Sequence, residues 1–258
     1  MPDRRTHRGA HPEDAKLFAP DQHARLRDAV AHLSWLLTRG YAQPSALKLV
    51  GDRFDLDARQ RTAVMRCACS DAARDARRAR QLQPTDVRGR AMQIDGYNVL
   101  TTAETALGGG VILVARDGAV RDMASIHGSY RKVEETRPAI ELVGRTLASL
   151  EIPRAIWYLD APVSNSGRLK TILGEVAHAH DWDWTVEIVP NPDAILAQLP
   201  GPVATADSVV LDRCVAWFNL AAAVVGAAPR PWLVDLSHAA PDSTEEPSDS
   251  SYPGQRHD

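Results

Sequence analysis

Ala91-Met-Gln-Ile-Asp95-Gly96-Tyr97-Asn98-Val99 is the stretch of sequence on which the fold prediction depends. Its first half is short and apolar, which is typical of a buried β-strand. The strand ends in the carboxylate of Asp95, a residue type that strands disfavour. Ligands of open parallel sheets bind outside the carboxyl ends of the strands. We therefore expect Asp95 to face a binding crevice.

Two further apolar runs also end in an aspartate. Ala155-Ile-Trp-Tyr-Leu159 leads into Asp160, and Val203-Ala-Thr205 leads into Asp207. If the strands are parallel and adjacent, the three carboxylates converge at one edge of the sheet. Carboxylates crowded together either share a proton or bind a cation. Magnesium and manganese ions prefer such all-oxygen ligands, so Mg²⁺ or Mn²⁺ is the expected cofactor.

Alternation of strands and helices after residue 83 predicts an α/β fold with a mostly parallel sheet flanked by helices. The other strands are expected at residues 111–114, 185–189 and 217–220, and the helices at residues 122–150, 166–180 and 207–214.

A small helical bundle is predicted to precede this sheet, over residues 21–82. Apolar residues recur at three- and four-residue steps from Leu26 to Leu37, and Gly40 is placed to end that helix. Two more helices are expected, the second of them capped by Asp57. Three short helices joined by tight turns resemble a helix-turn-helix unit.

A change in charge divides the chain near Gln83-Pro84. Residues 1–92 hold 18 Lys and Arg against 11 Asp and Glu, a net charge of +7, whereas residues 93–258 hold 12 against 22, a net charge of −10. This asymmetry suggests two structural units with different functions. We expect a disordered start over residues 1–20, the bundle as a distinct domain over 21–82, the α/β domain over 88–236 and a disordered Ser/Pro/Asp/Glu-rich tail over 237–258.

Arginines are concentrated between Arg59 and Arg80. They form either a solvated helix surface or a contact with phosphate groups. The second interpretation predicts a nucleic-acid affinity that falls with salt, by about 0.7–0.9 in the log–log slope for each phosphate neutralised.

Composition excludes several classes of protein. With 44% hydrophobic and 24% charged residues, the chain is typical of a globular protein. No apolar run approaches the roughly 20 residues that cross a membrane, and no apolar region follows the first arginines as in a secretory signal. The three cysteines suggest reduced thiols, and Cys67 and Cys69 suggest packing more than metal binding. We expect a cytoplasmic protein without a membrane partner.

Three motifs resemble the NYN branch of the PIN-like ribonucleases. They are Ile94-Asp-Gly-Tyr-Asn-Val99, Trp157-Tyr-Leu-Asp-Ala161 and Val203-Ala-Thr-Ala-Asp-Ser208. The resemblance covers about residues 91–220 and implies a PIN-like fold. It also implies that Asp95, Asp160 and Asp207 are catalytic metal ligands, that Asn98 lies beside them, and that the Thr205 hydroxyl faces the metal. Asp193 in Asn191-Pro-Asp193 stands where that group often carries a further acid.

A second resemblance concerns the whole chain. Ser34-Trp-Leu-Leu-Thr-Arg-Gly-Tyr41, Ala46-Leu-Lys-Leu-Val-Gly-Asp52 and His127-Gly-Ser-Tyr-Arg131 are similar to the prokaryotic family called domain of unknown function 434. This family names no activity and therefore implies none.

The loop from Pro162 to Arg168 is a candidate substrate site. Its hydroxyls and the start of the next helix can hold a phosphate, or they can simply cap that helix. The candidate contacts are Ser164, Asn165, Ser166 and Arg168, together with Arg131. Near Arg131, Glu134 or Glu135 is a possible fourth acid, or Glu135 pairs with Arg131 at a helical surface.

The leading hypothesis is a metal-dependent phosphodiesterase, in particular an RNA endonuclease, with nucleic acid as its partner. The alternative is a non-catalytic RNA- or DNA-binding or regulatory protein with a PIN-like fold. A phosphatase with an aspartate nucleophile is disfavoured because Tyr97 stands where its Asp-x-Asp pair needs the second acid. A P-loop is disfavoured because no Gly-Lys-Ser/Thr follows Gly108-Gly-Gly110.

Overall fold

The computed structural model describes residues 7–124 and 130–238, which contain twelve α-helices and nine β-strands. The helices are α1 Asp14–Leu17, α2 His23–Thr38, α3 Gln43–Arg53, α4 Ala58–Cys67, α5 Asp71–Ala79, α6 Pro84–Val87, α7 Gly96–Leu107, α8 Thr136–Ser149, α9 Ser166–Ala179, α10 Pro192–Leu196, α11 Ser208–Leu211 and α12 Leu220–Ala227. The strands are β1 Gln81–Leu82, β2 Met92–Asp95, β3 Val111–Val114, β4 Val120–Asp122, β5 Arg154–Asp160, β6 Asp183–Val189, β7 Pro202–Ala204, β8 Ala216–Phe218 and β9 Trp232–Asp235.

Six strands form the main sheet in the order β1-β8-β7-β2-β5-β6, and all of its pairings are parallel. From β2 the chain adds β5 and β6 on one side and then β7 and β8 on the other. The direction of strand addition therefore reverses between β2 and β7. This is a topological switch point, where open α/β sheets bind their ligands. The predicted α/β class with a parallel sheet is confirmed.

Helices α7, α8, α9 and α12 pack against one another and cover one face of the main sheet. The core between these layers contains Ile94 and Trp157 from the strands and Leu100, Ile140 and Leu173 from the helices, all fully buried. Because the strands of such a sheet are covered on both sides, they are almost continuously apolar. This pattern made β2, β5 and β7 visible in the sequence.

A second, three-stranded sheet has the order β4-β3-β9. Strand β3 buries both of its faces. Ile112 packs into the core of the main sheet, whereas Val111 and Leu113 pack with the N-terminal helices. The small sheet thus lies between the helical region and the α/β region and contributes residues to the cores of both. The N-terminal helices form as expected, and residues 21–80 contribute no strand, although Gln81 and Leu82 of the expected 21–82 unit form β1 of the main sheet. The helices also share their core with the small sheet.

Several local expectations are corrected by the structure. Residues 7–20 were expected to be disordered, but they contain α1, and Leu17 and Phe18 are buried in the helical core. The helix expected from Asp122 begins at Thr136 instead, because Asp122 ends a β-hairpin. The strand expected last, β8, is followed by α12 and β9. The tail expected to be disordered lies, from residue 239 onward, outside the described residues.

Candidate active site

Asp95 lies at the carboxyl end of β2, at the switch point of the main sheet. Its side chain is buried, and Oδ2 accepts a 2.8 Å hydrogen bond from the Thr205 hydroxyl. Burial is the main reason why the pKa of Asp95 is raised to about 7. The Thr205 bond lowers the pKa, and the negative charges of Asp193 and Asp207 raise it. Such a carboxyl either holds a proton near neutral pH or binds a cation.

A hydrogen bond connects the turn after β7 to the start of α7. Asn98 Oδ1 accepts a 2.8 Å hydrogen bond from the backbone N–H of Ala206. The Thr205 hydroxyl oxygen also accepts one of 3.0 Å from the backbone N–H of Asp207. Asp207 Oδ1 in turn accepts from the N–H of Val209 at 2.7 Å and so caps α11. The same Oδ1 also accepts from the N–H of Val210 at 3.2 Å. Asn98 therefore positions this turn, and Oδ2 is the Asp207 oxygen best placed to serve as a ligand, because Oδ1 already accepts two hydrogen bonds.

A cleft of about 540 Å³ opens over this edge of the sheet, lined by Asp95, Asn98, Asp193 and Asp207. Asp193 reaches it from the first turn of α10. Partial burial raises the pKa of Asp193, and the negative charges of Asp207 and Asp160 raise it further. The structure thus brings three of the four predicted acids to one cleft. Asp160 does not line the cleft, although its negative charge contributes to the raised pKa of Asp193.

No group of three or more His, Cys, Asp or Glu side chains within residues 7–124 and 130–238 is arranged to enclose a metal ion. The predicted set of four aspartate ligands is therefore reduced to at most two of them for one ion. Magnesium usually binds through one or two carboxylates and keeps several waters. Asp95 with Asp193 or Asp207 provides carboxylates of this number at the switch point.

The opposite wall of the cleft contains a carboxylate that sequence reasoning missed. Asp122 Oδ2 accepts hydrogen bonds from the hydroxyls of Thr101 and Thr102, at 3.1 Å and 2.8 Å. The sequence signal was Asp117-Gly118, a typical hairpin turn that places Asp122 at the end of β4. Asp122 Oδ1 accepts a 2.6 Å hydrogen bond from the backbone N–H of Ala124 and lies 3.8 Å from the Arg66 guanidinium. Since both oxygens have partners, we assign Asp122 a structural role.

The predicted substrate loop divides into a structural and an accessible part. The Ser166 hydroxyl is buried, 2.6 Å from the Asp160 carbonyl oxygen and 2.7 Å from the Tyr97 hydroxyl, so it serves the fold. Asn165, Arg168 and Arg131 line a separate pocket. Ser164 is exposed and does not line that pocket.

The arginines from Arg59 to Arg80 make intramolecular contacts. Five of them pair with carboxylates: Arg59 with Asp14, Arg61 with Asp52, Arg66 with Asp122, Arg74 with Asp71 and Asp75, and Arg77 with Asp117 and Asp212. The other two donate to backbone carbonyls: Arg78 to Arg116, and Arg80 to Asp212 and Cys214. These contacts give the arginine cluster a structural role, and its contact with nucleic acid stays a prediction.

An N-terminal segment covers the end of α7. The Arg8 guanidinium pairs at 2.9 Å with Glu104, whose carboxylate also accepts a hydrogen bond from the Tyr130 hydroxyl. A Cβ atom on Gly108 or Gly110 would lie 3.0 Å or 2.9 Å from backbone atoms of Arg8. Gly108 and Gly110 therefore leave room for this segment. This packing explains the glycine run without a P-loop.

Neither glutamate proposed as a fourth acid belongs to the cleft lining. His7 lies 3.4 Å from Glu134 and 2.9 Å from Glu135, and both glutamates flank the N-terminal segment. The helical spacing expected for Arg131 and Glu135 is wrong, because α8 begins only at Thr136, and their pairing stays a prediction.

Cys67 and Cys69 are buried free thiols. Burial raises the pKa of both, and that of Cys67 to about 12. Thiols of this kind are neutral and do not attract metal ions, which fits the expectation that they serve packing.

Comparison with known proteins gives two family matches and one curated relative. The model described as Domain of unknown function (DUF5616) matches residues 84–223, more than half of the chain, and that described as Protein of unknown function (DUF434) matches residues 25–80. The second resemblance is thus limited to the helical region. Uncharacterized protein MJ0935 of Methanocaldococcus jannaschii is 31% identical over 186 residues, 72% of this chain and 88% of the relative. No solved structure matches the chain significantly.

In the part of the chain that the structure describes, no helix is both long and apolar enough to span a membrane.

Proposed function

The chain belongs to the family described as Domain of unknown function (DUF5616), and for this member we propose divalent-metal-dependent hydrolysis of phosphodiesters, with RNA cleaved internally. The observation that carries the proposal is the placement of Asp95. It is a buried carboxylate at the switch point of a parallel sheet, with Asp193 and Asp207 across the same cleft. The resemblance of the three strand-end motifs to the NYN branch of PIN-like ribonucleases supports the same chemistry.

The donor set fits Mg²⁺ or Mn²⁺. Asp95 carries a raised pKa because its charge is buried beside two other acids, and a divalent cation would compensate that charge. Asp95 with Asp207 or Asp193 would hold the ion through hard oxygen ligands. When bound, such an ion polarises the phosphoryl oxygens and makes water more acidic.

The residues of the chain have distinct tasks in this proposal. Asp95 would bind the metal ion in a fixed orientation, because the Thr205 hydroxyl holds its Oδ2. Asn98 is a positioning residue that fixes the turn carrying Asp207. In hydrolysis the water oxygen forms a bond to phosphorus, the bond from phosphorus to the leaving ribose oxygen breaks, and that oxygen takes up a proton. When Asp207 is the second ligand, Asp193 is the candidate to accept and return protons, because it is exposed and lines the cleft.

Cleavage of a labelled RNA oligonucleotide by the full chain tests the proposal. Cleavage is expected with Mn²⁺ or Mg²⁺ and not with EDTA. Replacing Asp95 by Asn should reduce the rate by about 10²-fold or more, the scale of losing one electrostatic group in an active centre. Asp183→Asn is the matched control, because Asp183 begins β6 at the opposite edge of the sheet. Equal rates in the Asp95→Asn variant and the wild-type chain would contradict the proposal.

One observation favours a second candidate, a non-catalytic binding protein. Among the described residues no three acids enclose a metal site, as expected for a centre that has lost activity. Retained RNA binding without metal-dependent turnover, in a preparation free of contaminating nuclease, would select this alternative.

A further inference from the structure

A basic pocket of about 380 Å³ lies between the segment before α8 and the N-terminus of α9. Arg131, Lys132 and Arg168 line it, together with Asn165. Asn165 adopts a left-handed backbone conformation with a φ of 73°, and its Nδ2 donates a 2.9 Å hydrogen bond to the Tyr130 carbonyl oxygen. This bond ties the two walls together, so the pocket does not depend on a mobile contact.

The charges around this pocket suit an anion. Arg168 lies in the first turn of α9, a helix of 14 residues whose N-terminus carries a partial positive charge. Among the ion pairs of residues 7–124 and 130–238, none joins a carboxylate to Lys132 or Arg168. The neighbouring Glu134 and Glu135 face His7 instead. Lys132 and Arg168 therefore present their charges to the pocket without a carboxylate partner among the described residues.

Two tyrosines separate the basic pocket from the acidic cleft. Tyr97 lines the cleft, and Tyr130 lines the pocket. Their ring centroids are 5.2 Å apart. The Tyr97 hydroxyl is also 2.7 Å from the Ser166 hydroxyl at the start of α9. The pocket and the cleft thus lie on the two sides of a buried pair of tyrosines.

We propose that the basic pocket binds a terminal phosphate monoester of the nucleic-acid strand whose chain enters the acidic cleft. A monoester carries a charge of about −1.5 to −2 at pH 7 and three acceptor oxygens, whereas an internal diester carries a single charge and needs an exit for the chain on both sides. A pocket lined by Arg168 and Lys132 matches the higher charge of the monoester better, and a guanidinium group binds phosphate bidentately. This inference deepens the proposed function and rests on it for the identity of the ligand.

Binding of matched RNA oligonucleotides by the full chain, read by fluorescence anisotropy in EDTA, tests the inference without any hydrolysis. Three oligonucleotides of one sequence carry a 5′-phosphate, a 3′-phosphate or no terminal phosphate. We expect the wild-type chain to prefer one of the phosphorylated strands by about five- to tenfold, the scale of one charge-assisted contact. Arg168→Gln should abolish this preference and leave the affinity for the unphosphorylated strand within about twofold.

Lys170→Gln is the control. This substitution removes the same charge from the same helix, but Lys170 is exposed and does not line the pocket. It should keep the preference. Equal wild-type affinities for all three strands, or the same loss in the Arg168 and Lys170 variants, would overturn the inference. Since binding is read in EDTA, a preference for one terminal phosphate would persist even if the chain proves not to hydrolyse RNA.

Discussion

At the scale of single residues, the candidate site depends on how Asp95 is held. Its carboxylate is buried, yet it accepts a hydrogen bond from Thr205 and is repelled by two acids in the same cleft. The arrangement costs stability at neutral pH, because a buried charge is kept beside like charges. Such a cost is typical of sites that bind a cation, and it gives Asp95 a measurable signature.

Asp95→Asn is expected to stabilise the metal-free chain at pH 8. The native pKa of about 7 lies above the unfolded value of 3.8, so the native state binds more protons between these values and the wild-type chain loses stability as pH rises from 4 to 7. The penalty has an upper bound of roughly 4 kcal/mol, at about 1.4 kcal/mol per unit of pKa. Thermal melts at pH 8 should therefore show a higher Tm for the variant, and the difference should vanish near pH 4. A lower Tm than wild type at pH 8 would contradict this account of Asp95.

Residue identities at the strand ends were predictable, but their contacts were not. Asp95, Asp193 and Asp207 meet in one cleft as the sequence suggested. The displacement of Asp160 from that cleft depends on which way the end of β5 turns, and no local pattern encodes this direction. The structural role of the Ser166 hydroxyl likewise depends on Tyr97, which is 69 residues away in the chain.

At the scale of secondary-structure elements, the turn from β2 to α7 is the decisive junction. Gly96 is the first residue of α7, where a Cβ atom would lie 2.5 Å from Leu159 Cδ2 and 2.8 Å from the Tyr158 carbonyl oxygen. The helix can start directly after Asp95 only because residue 96 has no side chain. Asp-Gly-Tyr-Asn is thus a packing motif as well as a chemical one.

Gly96→Ala is expected to destabilise the chain by about 1–3 kcal/mol, the usual cost of overpacking. Gly174→Ala is the matched control in the interior of α9, where a Cβ atom has no neighbour within 4 Å. It should instead be neutral or stabilising by about 0.4–1 kcal/mol. Urea unfolding measures both changes, and equal effects of the two substitutions would show that the close approach at Gly96 does not exist.

Elements with a strong period were predictable and short ones were not. Helices α2 and α9 and strands β2 and β5 followed from apolar spacing alone. Strand β4 is three residues long, and β9 completes a sheet whose other members lie over a hundred residues earlier. Such pairings are decided by tertiary contact, which overrides local propensity.

At the scale of the whole molecule, we expect the helical and α/β regions to unfold as one cooperative unit. They share the core on one face of β3 and a buried ion network. Asp117 is almost fully buried and bonds to Arg121 and Arg77 at 2.7 Å. Arg77 comes from α5, whereas Asp117 lies in the β3–β4 turn. Buried contacts therefore cross the boundary near residue 83 that net charge suggests.

Asp117→Asn is expected to destabilise the chain by about 3–5 kcal/mol, because two buried guanidinium groups lose their shared partner. Both regions should unfold in a single transition. Asp52→Asn, which breaks exposed pairs with Lys48 and Arg61, is the control and should change stability little. The pKa of Asp117 is lowered to about 2, so its contribution is present above pH 4 and is lost as pH falls toward 2. Two separate unfolding transitions in urea would refute the single cooperative unit.

The central claim is that the cleft at the switch point holds a divalent metal ion, and a Mn²⁺ soak of crystals of the full chain tests it most directly. Anomalous scattering is expected to place an ion about 2.0–2.5 Å from a carboxylate oxygen of Asp95, with Asp207 or Asp193 as a second ligand and waters completing the coordination. The ion should be absent from crystals of Asp95→Asn and present in those of Asp183→Asn. Crystals of the wild-type chain at millimolar Mn²⁺ without an anomalous peak in this cleft would contradict the claim.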